Sequence, residues 1–380
     1  MTQIESLRQQ INSIDKELLA LFVQRMDTSV KIANYKAANG LPTLDEARQQ
    51  QILDRVATEV PQELSDYARV LYTTLFDLSR SLQNSRRSMN TPMGEQLRQL
   101  TARPLGEFPQ SATVACQGIA GAYSQQAASK LFADPNILYF KSFEGVFAAV
   151  EQGLCRYGVL PLENSTAGSV NAVYDLLHSR CCHIVRSARL PIEHALLVPR
   201  GTRLEDITEI FSHEQALRQC ESFIKSLADV KTTVCENTAS AARMVAESGR
   251  TDAAAIASPC CGELYGLTVL GKKIQDTTNN ATRFVCISRQ PELWPGADRV
   301  SLMMTLPHRS GSLYGVLSRF AALGLNLTKL ESRPIPQRDF EFLFYFDLAA
   351  RPDDPRLSSL LEQLSADLPE VTFLGGYTEV

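Results

Sequence analysis

Apolar positions along the chain change rhythm three times. Up to about residue 88 they recur at threes and fours: Ile4, Leu7, Ile11, Ile14, Leu18, Leu21 and Phe22, continuing to Tyr35. That is the spacing of one helical face, and Gly40-Leu41-Pro42 ends it. At ~1.5 Å per residue such a helix is roughly 50 Å long. Shorter helices predicted near residues 45–59 and 63–84 cannot cover it, so the pattern predicts a second copy of the chain along the remainder. Residues 89–110 carry Pro92, Gly94, Pro104, Gly106 and Pro109 and read as a linker with about one helical turn.

From about 111 to 288, short β-like runs such as "ATVAC", "YGVLP", "HALLVP" and "RFVCIS" alternate with helical ones such as "SQQAASKLF" and "SAARMVAES". This is α/β order, with sites expected where strands deliver into helices, and the length suits two lobes facing across a cleft. From about 298 to 380 the order is βαββαβ, a ferredoxin-like string. The fold class expected is therefore multidomain: an all-α amino-terminal domain, a two-lobed α/β domain and a small ferredoxin-like domain.

Composition removes several classes of function. Of 380 residues 44% are hydrophobic, the formal charge is -4, and no dense Lys/Arg stripe occurs, so nothing draws nucleic acid. No apolar run approaches the roughly 20 residues that span a bilayer. The first residues are polar and periodic, unlike a signal or transit peptide, and the expected location is cytoplasmic. The nine Cys include the neighbours Cys181–Cys182 and Cys260–Cys261 but no CxxC, and the five His form no HxxxH or HExxH. GxGxxG and GxxxxGK[ST] are also absent. The expectation is reduced cysteines, no metal and no cofactor.

Candidate chemistry lies in two places. Arg25 and Lys36 are eleven residues apart and share one helical face, whereas Arg8 lies about 100° away from Arg25 around the helix and would serve a pocket on a partner chain. Asp45, Arg48 and Gln49 form an i, i+3, i+4 patch, and Ser79 and Gln83 an i, i+4 pair. The second place is "LPLENSTAGSV", residues 160–170. It reads either as a capped strand-to-helix turn or as a site where N–H groups at a helix start meet an anionic small molecule.

Arg8, Arg25, Lys36, "PTLDEAR" (Pro42–Arg48) and "SRSLQ" (Ser79–Gln83), in this order and spacing, resemble the all-helical chorismate mutases over essentially all of residues 1–88. Those enzymes rearrange chorismate to prephenate, a pericyclic step without proton transfer, so the protein holds a dianion and stabilises charge on the ether oxygen. The resemblance implies that Arg25 and the partner's Arg8 clamp the carboxylates and that Lys36 and Gln83 donate to the ether oxygen. Asp45, Arg48, Gln49 and Ser79 would line the pocket. Gln49 departs from the family, which usually has Glu there to receive the substrate hydroxyl. An amide oxygen still accepts, without charge assistance.

"LPLENSTAGSV" together with "NNATRFVCIS" (279–288) is similar to prephenate dehydratases, as are "GAYSQQA", "SHEQALRQC", "NTASAA" and "LYGLTVL" in order. The usual Gly-Pro-x-Gly opening is replaced by "CQGIAGAYS". These enzymes convert prephenate to phenylpyruvate with loss of CO2 and the ring hydroxyl, which needs a proton or strong donor. The resemblance implies Thr282 at the reacting centre. Arg283 is either a carboxylate anchor or a structural ion pair, and Glu163 either a general acid, if burial raises its pKa, or an orienter of the turn. Asn164, Ser165 and Thr166 would bind substrate, and Ser212, His213, Thr238 and Ser240 would form walls.

"GSLYGVL" (Gly311–Leu317) and "LESRP" (Leu330–Pro334) resemble the regulatory ACT domain over about 298–380. That implies phenylalanine as effector, bound between paired copies by Gly311, Ser312, Leu313, Glu331, Ser332, Arg333 and Pro334. The expected protein is a homodimeric or larger bifunctional enzyme acting on chorismate and prephenate under phenylalanine feedback. The alternatives are a dehydratase whose vestigial mutase serves only dimerisation, and a non-catalytic amino-acid-responsive binding protein.

Overall fold

The first rhythm becomes a 36-residue helix, α1 (Gln3–Ala38), opened by a capping box in which Thr2 and Glu5 each accept from the other's backbone N–H. The structure, a computed structural model, describes residues 2–41, 45–86, 91–102, 105–227, 229–308, 310–335 and 341–380. Helix α2 (Glu46–Thr58) packs on α3 (Ser65–Arg86), and α3 on the carboxy-terminal part of α1. There Met26, Val30, Ala33, Val56 and Ser79 are buried. Further up α1, Ile4, Leu7, Ile11, Ile14, Leu18 and Leu21 remain 48–62% exposed.

The predicted linker is not a single turn. Residues Pro92–Ala102 form a three-turn helix, α4, whose Leu97 is fully buried beside Met93 and Leu100 in the core of the carboxy-terminal domain. Pro92 starts the helix rather than breaking it, because an N–H is not needed at the first position, and the Thr91 hydroxyl accepts from the Gly94 N–H.

The α/β region folds as two lobes. Lobe one contains β1 (Ser111–Gln117), α5 (Tyr123–Leu131), β2 (Asp134–Phe140), α6 (Phe143–Glu151), β3 (Tyr157–Asn164), β4 (Gly168–Ser169), α7 (Asn171–Ser179) and β5 (His183–Pro191). Lobe two contains β6 (Ala195–Val198), β7 (Glu209–Ser212), α8 (Glu214–Gln219), α9 (Glu221–Lys225), β8 (Lys231–Val234), α10 (Thr238–Glu247), β9 (Ala253–Ala257), α11 (Cys260–Tyr265) and β10 (Thr268–Lys272). The chain then returns to lobe one as β11 (Ala281–Ser288). The sheet orders are β2-β1-β3-β11-β5, with β4 hydrogen-bonded to β3, and β10-β6-β9-β7-β8. Two crossings, at 192–194 and 273–280, therefore join lobes that each have a separate sheet.

The last region runs β12 (Arg299–Leu306), α12 (Ser312–Ala322), β13 (Asn326–Pro334), β14 (Phe342–Ala349), α13 (Pro355–Asp367) and β15 (Glu370–Tyr377), in an antiparallel sheet ordered β13-β14-β12-β15. Strand alternation sends Val300, Leu302 and Met304 toward α12, α13 and α4, and Met303, Tyr345, Leu374 and Tyr377 toward lobe one. The second set shares one apolar core with Phe147, Leu160, Leu177 and Ile184. Gly375 permits this approach, since a Cβ there would strike the Ile184 carbonyl. Residues 378–380 add hydrogen bonds along β5. Among the described residues no helix is long and apolar enough to cross a membrane.

Candidate functional site

In the helical region, packing of α3 on α1 brings several of the expected residues together. Arg25 Nη1 donates to Ser79 Oγ (2.7 Å) and to the Leu75 carbonyl (3.2 Å), with Phe76 beneath its guanidinium. One turn further along α1, the Ser29 carbonyl accepts from Gln83 Nε2 at 2.9 Å. Lys36 is half-buried on the same helix. Asp45 acts as the N-cap of α2, accepting from the Arg48 N–H at 2.9 Å, and Arg48 lies exposed beside Gln51. Gln49 is half-buried. Arg8 is exposed and sits about 25 Å up the helix from Arg25, so within one chain the two do not meet. Pro42 to Leu44 of the quoted "PTLDEAR" lie outside the described residues.

A cleft of about 460 Å³ opens between the lobes. Thr282, Asn164, His213 and Thr238 line it together with Gln117, Tyr123, Ser124, His194, Gln219 and Glu236, and among the described residues no Lys or Arg is in its wall. The amino ends of α5, α6, α7 and α10 reach it through Ala122, Phe143, Val170 and Asn237. Neither Ala122 nor Val170 caps its helix with a side chain; the Gln125 and Val173 N–H groups turn back to the Ala122 and Val170 carbonyls, which leaves the first two N–H groups of α5 and α7 for a ligand. Uncapped helix amino ends supply positive potential to an anion without a side-chain cation.

Two of the lining residues, Asn164 and Gln219, belong to a closed hydrogen-bonded ring. Asn164 Nδ2 donates to Asn280 Oδ1 (2.8 Å), Asn280 Nδ2 to Gln219 Oε1 (3.0 Å), Gln219 Nε2 to Thr166 Oγ1 (2.7 Å), and Thr166 Oγ1 to Asn164 Oδ1 (2.7 Å). Each amide's orientation follows from its neighbour. Asn164 Nδ2 also donates to Thr282 Oγ1 at 2.8 Å. The hydroxyl of Thr282 is thereby an acceptor from the protein, and no acceptor among the described residues takes its proton. His194, opposite Gln219 Oε1 at 3.0 Å, is deeply buried, and that burial lowers its pKa against the Gln219 hydrogen bond.

Several expected residues lie elsewhere. The Ser212 hydroxyl is buried behind the wall, donating to the Ile256 carbonyl. Ser165 ties the turn to the Asn279 carbonyl and the Ala281 N–H. Ser240 occupies the first turn of α10, where its N–H meets Asn237 Oδ1. His213, by contrast, lines the cleft and also caps α8, Nδ1 accepting from the Gln215 N–H at 3.3 Å. Gln219, Asn280 and His194 were not foreseen, although "SHEQALRQC" and "NNATRF" contain two of them. Only the packing of one lobe on the other makes them a wall.

Arg283 is not among the residues that line the cleft and sits in a buried ion-pair cluster. One residue beyond Thr282, it points to the opposite side of β11 and is 5% exposed. Nη1 lies 2.5 Å from Asp347 and 3.3 Å from Glu163, Nε lies 3.3 Å from Glu379, and Nη2 donates to Tyr377 Oη at 2.5 Å. Glu163 belongs to the same cluster. Burial pushes its carboxyl up, but the Lys329 ammonium at 2.7 Å, and then Arg283, outweigh burial and hold it below the usual carboxylate range. Arg283→Met leaves three carboxylates without their shared partner and should cost about 3–5 kcal/mol of stability, as expected when a buried pair is broken from one side. Urea unfolding of the two proteins measures this.

Two of the residues expected at an effector site are engaged by lobe one. Glu331 Oε2 accepts from Ser169 Oγ at 2.5 Å, and Arg333 pairs with Asp175 at 2.8 Å. On β13 they face opposite to the exposed Ser332 and Pro334. Gly311 precedes α12, with Ser312 and Leu313 in its first turn.

Residues 7–84 match the family model for chorismate mutase type II, and residues 114–292 that for prephenate dehydratase. The bifunctional chorismate mutase/prephenate dehydratase of Escherichia coli (strain K12) is 30% identical over 380 residues, 98% of this chain and 95% of that one. The arogenate dehydratase/prephenate dehydratase 2, chloroplastic, of Arabidopsis thaliana is 38% identical over 276 residues, 70% of this chain and 72% of that one. Among solved structures, the prephenate dehydratase of Arthrobacter aurescens in complex with L-Phe is 29% identical with a TM-score of 0.65, covering 70% of this chain and 90% of that one.

Proposed function

This chain belongs to the family of bifunctional chorismate mutase/prephenate dehydratases, and on that premise we propose which residues carry each of its two reactions and how they are regulated. The enzyme turns chorismate into prephenate and prephenate into phenylpyruvate, CO2 and water. The second step consumes one proton, which joins the departing ring hydroxyl.

For dehydration, the supporting observation is the Asn164–Thr282 pair at the foot of a cleft without lining cations. The helix amino ends hold the carboxylates of prephenate. Asn164 donates to Thr282, so Thr282 presents its O–H to the ring hydroxyl and assists its departure as the ring becomes aromatic. Gln219, Asn280 and Thr166 keep the Asn164 amide oriented, and His213 and Thr238 close the wall. Burial strengthens each of these hydrogen bonds relative to water.

For the mutase, Arg25 and Arg8 of a second copy clamp the substrate carboxylates, Lys36 and Gln83 donate to the ether oxygen, and Asp45, Arg48, Gln49 and Ser79 shape the pocket. The exposed stripe from Ile4 to Leu21 supports the second copy: burying six aliphatic side chains is worth about 1.5–3 kcal/mol each. Gln49→Glu restores charge assistance to the substrate hydroxyl and should raise mutase kcat/KM about tenfold, read from initial rates of chorismate loss.

The carboxy-terminal domain is an ACT domain in this reading. Phenylalanine binds between two copies, its carboxylate at the Gly311–Leu313 helix start and its side chain along the Ser332–Pro334 face of the edge strand β13. Its effect follows from binding one arrangement of the oligomer better than another. The test is to give the purified protein chorismate and follow chorismate loss and phenylpyruvate appearance, with and without phenylalanine. Both should proceed, and phenylalanine should slow the second. Chorismate lost without phenylpyruvate, or neither, overturns the assignment.

A further inference from the structure

Lys329, on β13 of the carboxy-terminal domain, is 20% exposed and reaches across to lobe one. An ammonium has three N–H donors, and Lys329 Nζ has three oxygens around it: Glu163 Oε2 at 2.7 Å, Ser169 Oγ at 2.9 Å and Glu331 at 3.5 Å. Glu163 and Ser169 are directly opposed in the β3–β4 pairing, with Asn164 opposite Gly168. The ammonium therefore grips both strands of one small hairpin at its stem. The tip of that hairpin holds Ser165 and Thr166, and the next residue after its second strand, Val170, lines the cleft.

The register on the other side of β3 carries the grip to the reacting pair. Asn164 lies opposite Thr282 and Glu163 opposite Arg283, with the register shifting just beyond, between Arg283 and Phe284. The regular stretch that aligns the Asn164 amide with the Thr282 hydroxyl is thus only two residue pairs long, and one of those pairs is held by Lys329. A two-residue strand such as β4 has little pairing of its own to fix it. Glu331, Ser169's second partner, stands two residues along β13 from Lys329 and strengthens the same attachment.

We propose that Lys329 is a positioning residue for dehydration: by holding Glu163 and Ser169 from the carboxy-terminal domain, it keeps the Asn164 amide aligned on the Thr282 hydroxyl. The inference rests on reading the cleft as the dehydratase site, and it makes that site incomplete without the domain behind it. It touches no substrate atom, so its loss should appear in the chemical step more than in binding.

The test uses the full chain carrying Lys329→Met, assayed with prephenate. Expected is a fall of about tenfold in kcat, since a small misplacement of reacting groups is costly, with KM changed less than about twofold. Lys329→Arg should recover most of the rate, and chorismate consumption should stay at the wild-type value, showing that the protein is folded. Glu163→Gln should reproduce the loss. Its combination with Lys329→Met should be no worse than the worse single variant, as for two residues acting as one unit. A Lys329→Met protein with wild-type kcat, a fall confined to KM, or losses that multiply in the double variant would overturn the proposal. If the wild-type chain itself makes no phenylpyruvate, the dehydratase reading fails instead.

Discussion

Replacing Thr282 by Ala will lower phenylpyruvate formation from prephenate by about 10²–10⁴-fold, the usual contribution of a positioned proton donor, while chorismate continues to be consumed. The reason is the asymmetry of its hydrogen bonds. Asn164 donates to the Thr282 oxygen at 2.8 Å, so the single hydrogen of that hydroxyl is not used in this bond and can be given to the substrate. Ala removes both the donor and the acceptor for Asn164, whose amide then turns toward the ring formed with Asn280, Gln219 and Thr166. Steady-state rates with prephenate, beside direct measurement of chorismate loss, separate the two activities. Parallel loss of both would mean that the substitution unfolds the chain or that the division of labour is wrong.

The second large effect belongs to the helical domain. Lys36→Ala should reduce chorismate consumption by about 10²–10³-fold, by analogy with loss of one oxyanion-hole donor, and leave prephenate dehydration unchanged. A pericyclic rearrangement offers no proton transfer to substitute for that donor, so the loss falls on the rate. Initial rates with each substrate measure both sides of the prediction. An equal fall in dehydration would place Lys36 in the fold rather than in the mutase pocket.

Much of this organisation was readable in the sequence, and the exceptions have physical causes. The threes-and-fours spacing of Ile4 to Tyr35 survives as α1 because helical periodicity is local. Helix α4 was hidden because Pro92 and Gly94 look like breaks. Pro92 is in fact the first helical residue after a Thr91 cap, and Met93, Leu97 and Leu100 carry the apolar face. Arg283 was ambiguous because its partners, Asp347, Glu379 and Tyr377, lie in another domain. The same holds for Glu331 and Arg333, whose charges are spent on Ser169 and Asp175 of lobe one.

The cleft shows the same division. Asn164 and Thr282 stand in segments conspicuous for small hydrogen-bonding residues, and strand register puts them opposite each other. Gln219 stands at the end of a six-residue helix in the other lobe and has no local signature that separates it from a surface glutamine. Its role appears only when the crossings at 192–194 and 273–280 bring α8 against the Asn164–Gly168 turn. Lys329 is less legible still, as one cation on an edge strand whose meaning comes from the hairpin it meets.

The most direct measurement mixes the full-length Lys36→Ala and Thr282→Ala proteins, supplies chorismate and follows phenylpyruvate. Two pockets that work independently of each other predict that the mixture forms phenylpyruvate, because prephenate made by the protein with an intact helical pocket is consumed by the one with an intact cleft, although each protein alone forms almost none. A mixture as inactive as its separate components, with both proteins folded, would contradict the account.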